Sequence, residues 1–149
     1  DYLKLPARFI VRRANGFTFN ENTLSGMPIA VEAGSRHEAF ALALWPEVQL
    51  MSYSSAMEAQ NAVKEGVADA HFGDGLSLAF WMNSEAAEDC CVFAGGPWLE
   101  PGYLNTGLSI ALRKQDVGRA EAINYALRQL ALKGTFHELY LRYFPTSFY

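Results

Sequence analysis

Two short turns carry residue types from which binding chemistry can be built. The stretch VADAHFGDGL (67–76) runs from apolar, β-compatible residues (Val67, Ala70, Phe72) into Gly73-Asp74-Gly75, and the helical pattern LSLAFWM follows at once. A buried strand that breaks there and turns into a helix places Asp74 at a strand's carboxyl edge. In open α/β sheets that edge is where ligands bind. The same short carboxylate has the chemistry of a helix N-cap, accepting from the orphan backbone N–H groups of the helix that follows. The other turn is Ala33-Gly34-Ser35-Arg36, after the short apolar run Pro28 to Glu32. It offers a small hydroxyl and backbone N–H groups at a helix N-terminus, a natural site for an anion or carboxylate. If both strands are parallel in one sheet, the two turns face the same edge. Together they would hold a zwitterion such as an α-amino acid, its carboxylate at the first turn and its ammonium at the second. His37 lies beside the first turn, either as a ligand contact or as a solvated helix residue.

The remaining reactive side chains form no constellation. The chain has no G-x-S-x-G elbow, no P-loop and no complete dinucleotide fingerprint. His71 and Asp69 share a strand face by period alone, so His71 reads as a face-filling residue. The histidines His37, His71 and His137 are scattered, and Cys90-Cys91 matches no zinc spacing. Disulfide geometry favours cysteines from more separated backbone, so both are expected as unpaired structural thiols, with Cys91 opening a strand. No cofactor, metal or catalytic group is expected.

The elements that would position the turns alternate in type. Strands are expected over Ala7 to Arg13, Pro28 to Glu32, Val48 to Tyr53, Val67 to Phe72, Cys91 to Ala94 and Thr106 to Arg113. Helices are expected over Arg36 to Leu44, from the Ser54-Ser55 caps to about Glu65, up to about Met82, over about Val117 to Leu132 and from about Thr135 to Tyr143. Gly95-Gly96-Pro97 reads as a break, Gly66 as a helix stop, and Asn83 to Asp89 as a polar connection. Alternation of this kind predicts an α/β fold with a central, mostly parallel sheet of about five strands flanked by helices, plus a C-terminal helical pair. The 149 residues fit one domain: an α/β core over 14–106, crossover strands over 1–13 and 107–116, and closing helices over 117–149. Half the residues are hydrophobic and the net charge is −4, so the chain is neither disordered nor built with the basic face of a nucleic-acid binder. Its apolar runs are too short to cross a bilayer.

The order of these segments resembles the bacterial periplasmic solute-binding proteins that serve ABC transporters of polar amino acids. LPARFIVRR (5–13) is similar to that family's strand crossing from first lobe to second. MPIAVEAGSRHEAF (27–40) resembles the second-lobe strand, turn and helix, and VADAHFGDG (67–75) the strand ending in an acidic ligand. TGLSIALRK (106–114) looks like the return crossover, and LRQLALKGTFHELYLRYFP (127–145) like the closing helices. The resemblance implies a type II periplasmic-binding-protein lobe that binds without catalysis, in the periplasm, and passes an amino acid to a transporter permease. By position it assigns the carboxylate to Ser35, Arg36 and backbone near Gly34, and the ammonium to Asp74. Arg36 departs from the threonine or small polar residue common there, and can clamp a carboxylate or fill its site.

The resemblance further implies that a first-lobe segment is missing from the chain, leaving half a pocket. The apolar faces of the closing helices (Ile123, Leu127, Leu130, Phe136, Tyr140) would then fold back or form a homodimer, with elements exchanged between chains. Two other readings stand beside this one. In the first, the chain is an enzyme similar to cyclohexadienyl dehydratases, with Asp74 or His37 as acid or base. In the second, it is an assembly protein with a vestigial site.

Overall fold

The computed structural model describes residues 2–15, 20–104 and 107–144. These form two compact units where the length suggests one domain: residues 5–104, and residues 2–4 with 107–144.

The larger unit is a five-stranded sheet with helices on both faces. Its strands are β1 (Ala7–Arg12), β2 (Pro28–Glu32), β3 (Gln49–Tyr53), β4 (Ala70–Asp74) and β5 (Cys91–Trp98). Its helices are α1 (Arg36–Leu44), α2 (Ala56–Lys64) and α3 (Gly75–Met82). The strand order is β3-β2-β4-β1-β5. β2 pairs parallel with β3 and β4, whereas β1 pairs antiparallel with both β4 and β5. Four strands therefore run one way and β1 alone is reversed, so the sheet is mixed.

Period-two alternation divides the core between the faces. Phe9, Val11, Ile29, Val31, Ala70 and Phe72 pack on one side with Phe40 and Ala41 of α1. Phe9 and Phe72 are in register, with ring centroids 4.7 Å apart, and Trp45 stands 5.5 Å from Phe9. Ile10 and Ala30 face the other way, against Ala59, Ala62 and Val63 of α2 and Leu78 and Trp81 of α3.

The caps follow from local chemistry. Ser55 Oγ accepts from the Glu58 N–H at 3.2 Å, and the Glu58 carboxylate takes the Ser54 N–H and hydroxyl at 3.1 and 2.7 Å. This is a capping box one residue out of register. Gly66, at φ +80°, ends the turn after α2, and the next two N–H groups donate to the Ala62 carbonyl. That wrapped C-terminus corrects one expectation. Val67 is 54% exposed, and the strand begins at Ala70 rather than at Val67.

Three further expectations are corrected. β5 does not stop at Ala94 but continues through Gly95-Gly96-Pro97 to Trp98. It is an edge strand, where a proline without an N–H is tolerated, and the two glycines at positive φ lie where its register against β1 shifts. Within 107–113, the expected strand is reduced to an isolated bridge between Leu3 and Leu108, with no other strand alongside for residues 109–113 to pair with among the described residues. Thr106 lies outside the described residues. Finally, Cys90 and Cys91 are joined by a disulfide. Adjacent residues hold their Cα atoms 3.7 Å apart by covalent geometry, and the neighbouring thiols close on each other despite that short spacing.

The smaller unit holds α4 (Val117–Leu132) and α5 (Thr135–Tyr143), separated by Gly134 at φ +75°. Tyr2 stacks on Phe136 at 6.3 Å. No described residue of either helix is fully buried, and Leu130, Leu132, Leu139 and Leu141 are exposed. No helix of the described residues is long and apolar enough to cross a membrane.

Candidate functional site

The turn before α1 closes on itself. Gly34 adopts φ +69°, a left-handed conformation that suits glycine. Ser35 is the N-cap, its Oγ accepting from the Glu38 N–H at 3.1 Å. Glu38 folds back so that Oε2 accepts from the Gly34 N–H at 2.7 Å, while Oε1 accepts from the Ser52 hydroxyl. Both bonds favour the ionised form, so the Glu38 carboxyl sits below its usual range, the Ser52 bond first and the Gly34 bond second. A carboxylate from the chain's own helix thus occupies the Gly34 N–H expected for a ligand. Glu38, at N3 of the helix, is the residue that a capping-box pattern would have flagged.

The turn after β4 behaves differently. Asp74 caps α3, its Oδ1 accepting from both the N–H and the hydroxyl of Ser77 at 2.8 Å. Its Oδ2 is buried and has no hydrogen-bond partner among the described residues. A buried acceptor left unsatisfied costs on the order of 1–3 kcal/mol, more when charged. The cap explains one oxygen of Asp74 and leaves the other waiting for a donor.

Asp74 lines a cavity of about 90 Å³ together with Glu32 at the end of β2, His37 at the start of α1, Gln60 of α2, His71 of β4 and Ser77 of α3. Of the residues singled out from sequence, the cavity brings together His37 and Asp74. Gly34, Ser35 and Arg36 lie in the neighbouring turn and are not among its lining residues. Glu32 and Gln60 are lining residues that sequence reasoning passed over, and His71, read there as a face-filling residue, lines the cavity as well. Gln60 carried a signal, being a polar residue within the buried stripe Ala59, Ala62 and Val63.

Both cavity imidazoles are neutral near pH 7. Burial, reinforced by the Arg36 guanidinium and opposed by the Asp74 carboxylate, lowers the His37 pKa to about 4. His37 also meets Phe72 edge-on at 5.9 Å. His71, 2% exposed, is lowered to about 4 by burial, against the opposing effect of its bond to the Ala30 carbonyl. His71 Nδ1 lies 2.9 Å from that oxygen. Its ring also presses on the strand edge: a Cβ at Gly73 would stand 2.8 Å from Nε2. The cavity thus combines two carboxylates with two uncharged imidazoles, a setting that favours a cation. Among the described residues no three His, Cys, Asp or Glu side chains are placed to hold a metal.

This is the type II periplasmic-binding-protein fold, with the cavity at the carboxyl edges of two parallel strands. No family model matches the chain. Its homologues are amino-acid-binding proteins of periplasmic ABC transport systems. It is 29% identical over 144 residues to the ABC transporter arginine-binding protein 1 of Escherichia coli K12, covering 97% of this chain and 57% of that protein. It is 26% identical over 145 residues to the lysine/arginine/ornithine-binding periplasmic protein of the same organism, covering 96% and 56%. The chain spans about half the length of the curated relatives it matches. Among solved structures, an ancestral cationic amino acid solute-binding protein superposes with a TM-score of 0.74 at 24% identity, over 96% of this chain and 59% of that one. Another structure of an ancestral protein of this fold is described as a precursor of cyclohexadienyl dehydratase.

Proposed function

We propose that this chain is the solute-binding second lobe of an amino-acid ABC transport protein, and that it binds a cationic amino acid at the β2–β4 edge without catalysis. The observation that carries this reading is the buried, unpartnered Oδ2 of Asp74 beside the cavity. An ammonium donates to that oxygen while Oδ1 keeps its cap, and hydrogen bonds to charged groups contribute roughly 1.5–3 kcal/mol. The neutral state of His37 and His71 supports a cation there, since neither imidazole opposes it near pH 7. The names of the curated relatives favour arginine or lysine as the solute. With the Gly34 N–H already bonded to Glu38, the solute's carboxylate depends on Ser35, Arg36 and groups outside the lobe. On this reading the chain works in the periplasm and delivers to a transporter permease. The exposed apolar residues of α4 and α5 support a homodimer, with elements exchanged between chains.

A thermal-shift titration tests the reading. L-Arginine and L-lysine are expected to raise the unfolding temperature, with L-glutamate as the control. Saturation at about 100 times Kd stabilises by about 2.7 kcal/mol. Equal, negligible shifts for all three would refute it. For the dimer, sedimentation is expected to give twice the chain mass, and a monomer at all concentrations would refute that part.

A further inference from the structure

We propose that His71 is a specificity-determining residue of this cleft: its Nε2 accepts a hydrogen bond from an N–H donor on the solute's side chain, distinct from the ammonium held by Asp74. The proposal rests on the amino-acid-binding reading above and adds which group reads the solute's far end. A carbonyl oxygen can only accept, so His71 Nδ1, 2.9 Å from the Ala30 oxygen, carries the ring's proton. A neutral imidazole has one such proton, which leaves Nε2 as a lone-pair acceptor. The ring is buried at 2% exposure, and its residue pairs with Ile10 on one side and Ala30 on the other. It is therefore held in a single orientation.

Nε2 lies against the backbone of Gly73, one residue before Asp74, where a Cβ would stand 2.8 Å away. Only at a glycine does the ring come this close to the strand edge. Nε2 has no hydrogen-bond partner among the described residues, and the residue lines the same cavity as Asp74. Two of the residues lining the cavity thus carry acceptors, Asp74 Oδ2 and His71 Nε2. Glu32 lines it as well, and its carboxylate favours a donor that is also a cation, such as an ammonium or guanidinium terminus.

The test uses L-lysine and L-norleucine, which share a chain and differ by the terminal ammonium. On the full chain, the ¹⁵N resonance of His71 Nε2 is followed as each is titrated. L-Lysine is expected to move it toward a hydrogen-bonded acceptor, and L-norleucine to leave it in place. In His71→Phe, the preference for L-lysine over L-norleucine is expected to fall by about 10-fold or more, the scale of a hydrogen bond to a charged group. If L-lysine binds and Nε2 does not respond, the proposal is overturned while the binding reading survives. A response to both probes overturns it too, because the donor is then the shared α-ammonium. If neither probe binds, both readings fall. Should His71→Phe not fold, the wild-type resonance alone decides.

Discussion

Gly73→Ala probes the packing that builds the cavity floor. The added Cβ would stand 2.8 Å from His71 Nε2 and 3.2 Å from Cε1, where ordinary van der Waals contact begins near 3.4 Å. The imidazole has little room to retreat, because Nδ1 is bonded to the Ala30 carbonyl and the ring is enclosed between sheet and helices. Forcing a methyl into such a site costs about 1–3 kcal/mol. If the ring tilts instead, it gives up the Ala30 bond and leaves a buried donor, at about 1–3 kcal/mol. Against this, replacing glycine reduces the unfolded chain's entropy and returns about 0.4–1 kcal/mol. The net expectation is a loss of about 1–2 kcal/mol. Urea unfolding followed by circular dichroism reads it as a lower midpoint with unchanged slope. In the double variant with His71→Ala the two effects should couple by at least about 0.5 kcal/mol. A Gly73→Ala protein as stable as the parent would refute the placement of the ring.

Other perturbations separate local roles. Ser55→Ala should cost about 1 kcal/mol through loss of the α2 cap, read by thermal unfolding. Asp74→Ala should cost a similar amount, whereas Asp74→Asn keeps an acceptor for Ser77 and should unfold within about 0.5 kcal/mol of the parent. Stability should also fall on acidification. The folded His71 pKa is about 4 against an ordinary 6.5, so the native state binds fewer protons than the unfolded one between those values. Its contribution is fully present above pH 6.5 and is lost as pH falls toward 4, about 3 kcal/mol in all. Urea midpoints at pH 7 and pH 4.5 should show this, with a shallower fall in His71→Phe; identical slopes in the two proteins would contradict it.

What could be read from the sequence was mostly local. α1 matches its expected bounds residue for residue, and α4 and α5 fall where their approximate bounds put them, because apolar spacing, Ser35 and Gly134 act within a turn or two of chain. Asp74 was legible both as a cap and as an edge carboxylate, since one side chain does both with different oxygens. What stayed hidden depends on partners far along the chain. β5 passes through Gly-Gly-Pro because it is an edge strand, a property of sheet order rather than of residues 95–97. The apolar alternation at Leu108, Ile110 and Leu112 does not make a strand without a neighbour to pair with among the described residues. At the turn where a ligand carboxylate is expected, the Gly34 N–H donates to the carboxylate of Glu38, four residues on. The cavity's Glu32, Gln60 and His71 converge from β2, α2 and β4, a proximity that no spacing in the chain encodes.

The central claim is that Asp74 Oδ2 receives a solute ammonium. Calorimetric titration of L-arginine into the parent chain and into Asp74→Asn tests it most directly, because the amide oxygen keeps the α3 cap while an NH2 donor replaces the Oδ2 acceptor and its charge. Truncating one partner of a buried charge pair costs about 2–5 kcal/mol, so the variant should bind at least about 30-fold more weakly while unfolding at a similar temperature. Equal affinity in the two proteins, or no heat of binding in the parent, would contradict the account.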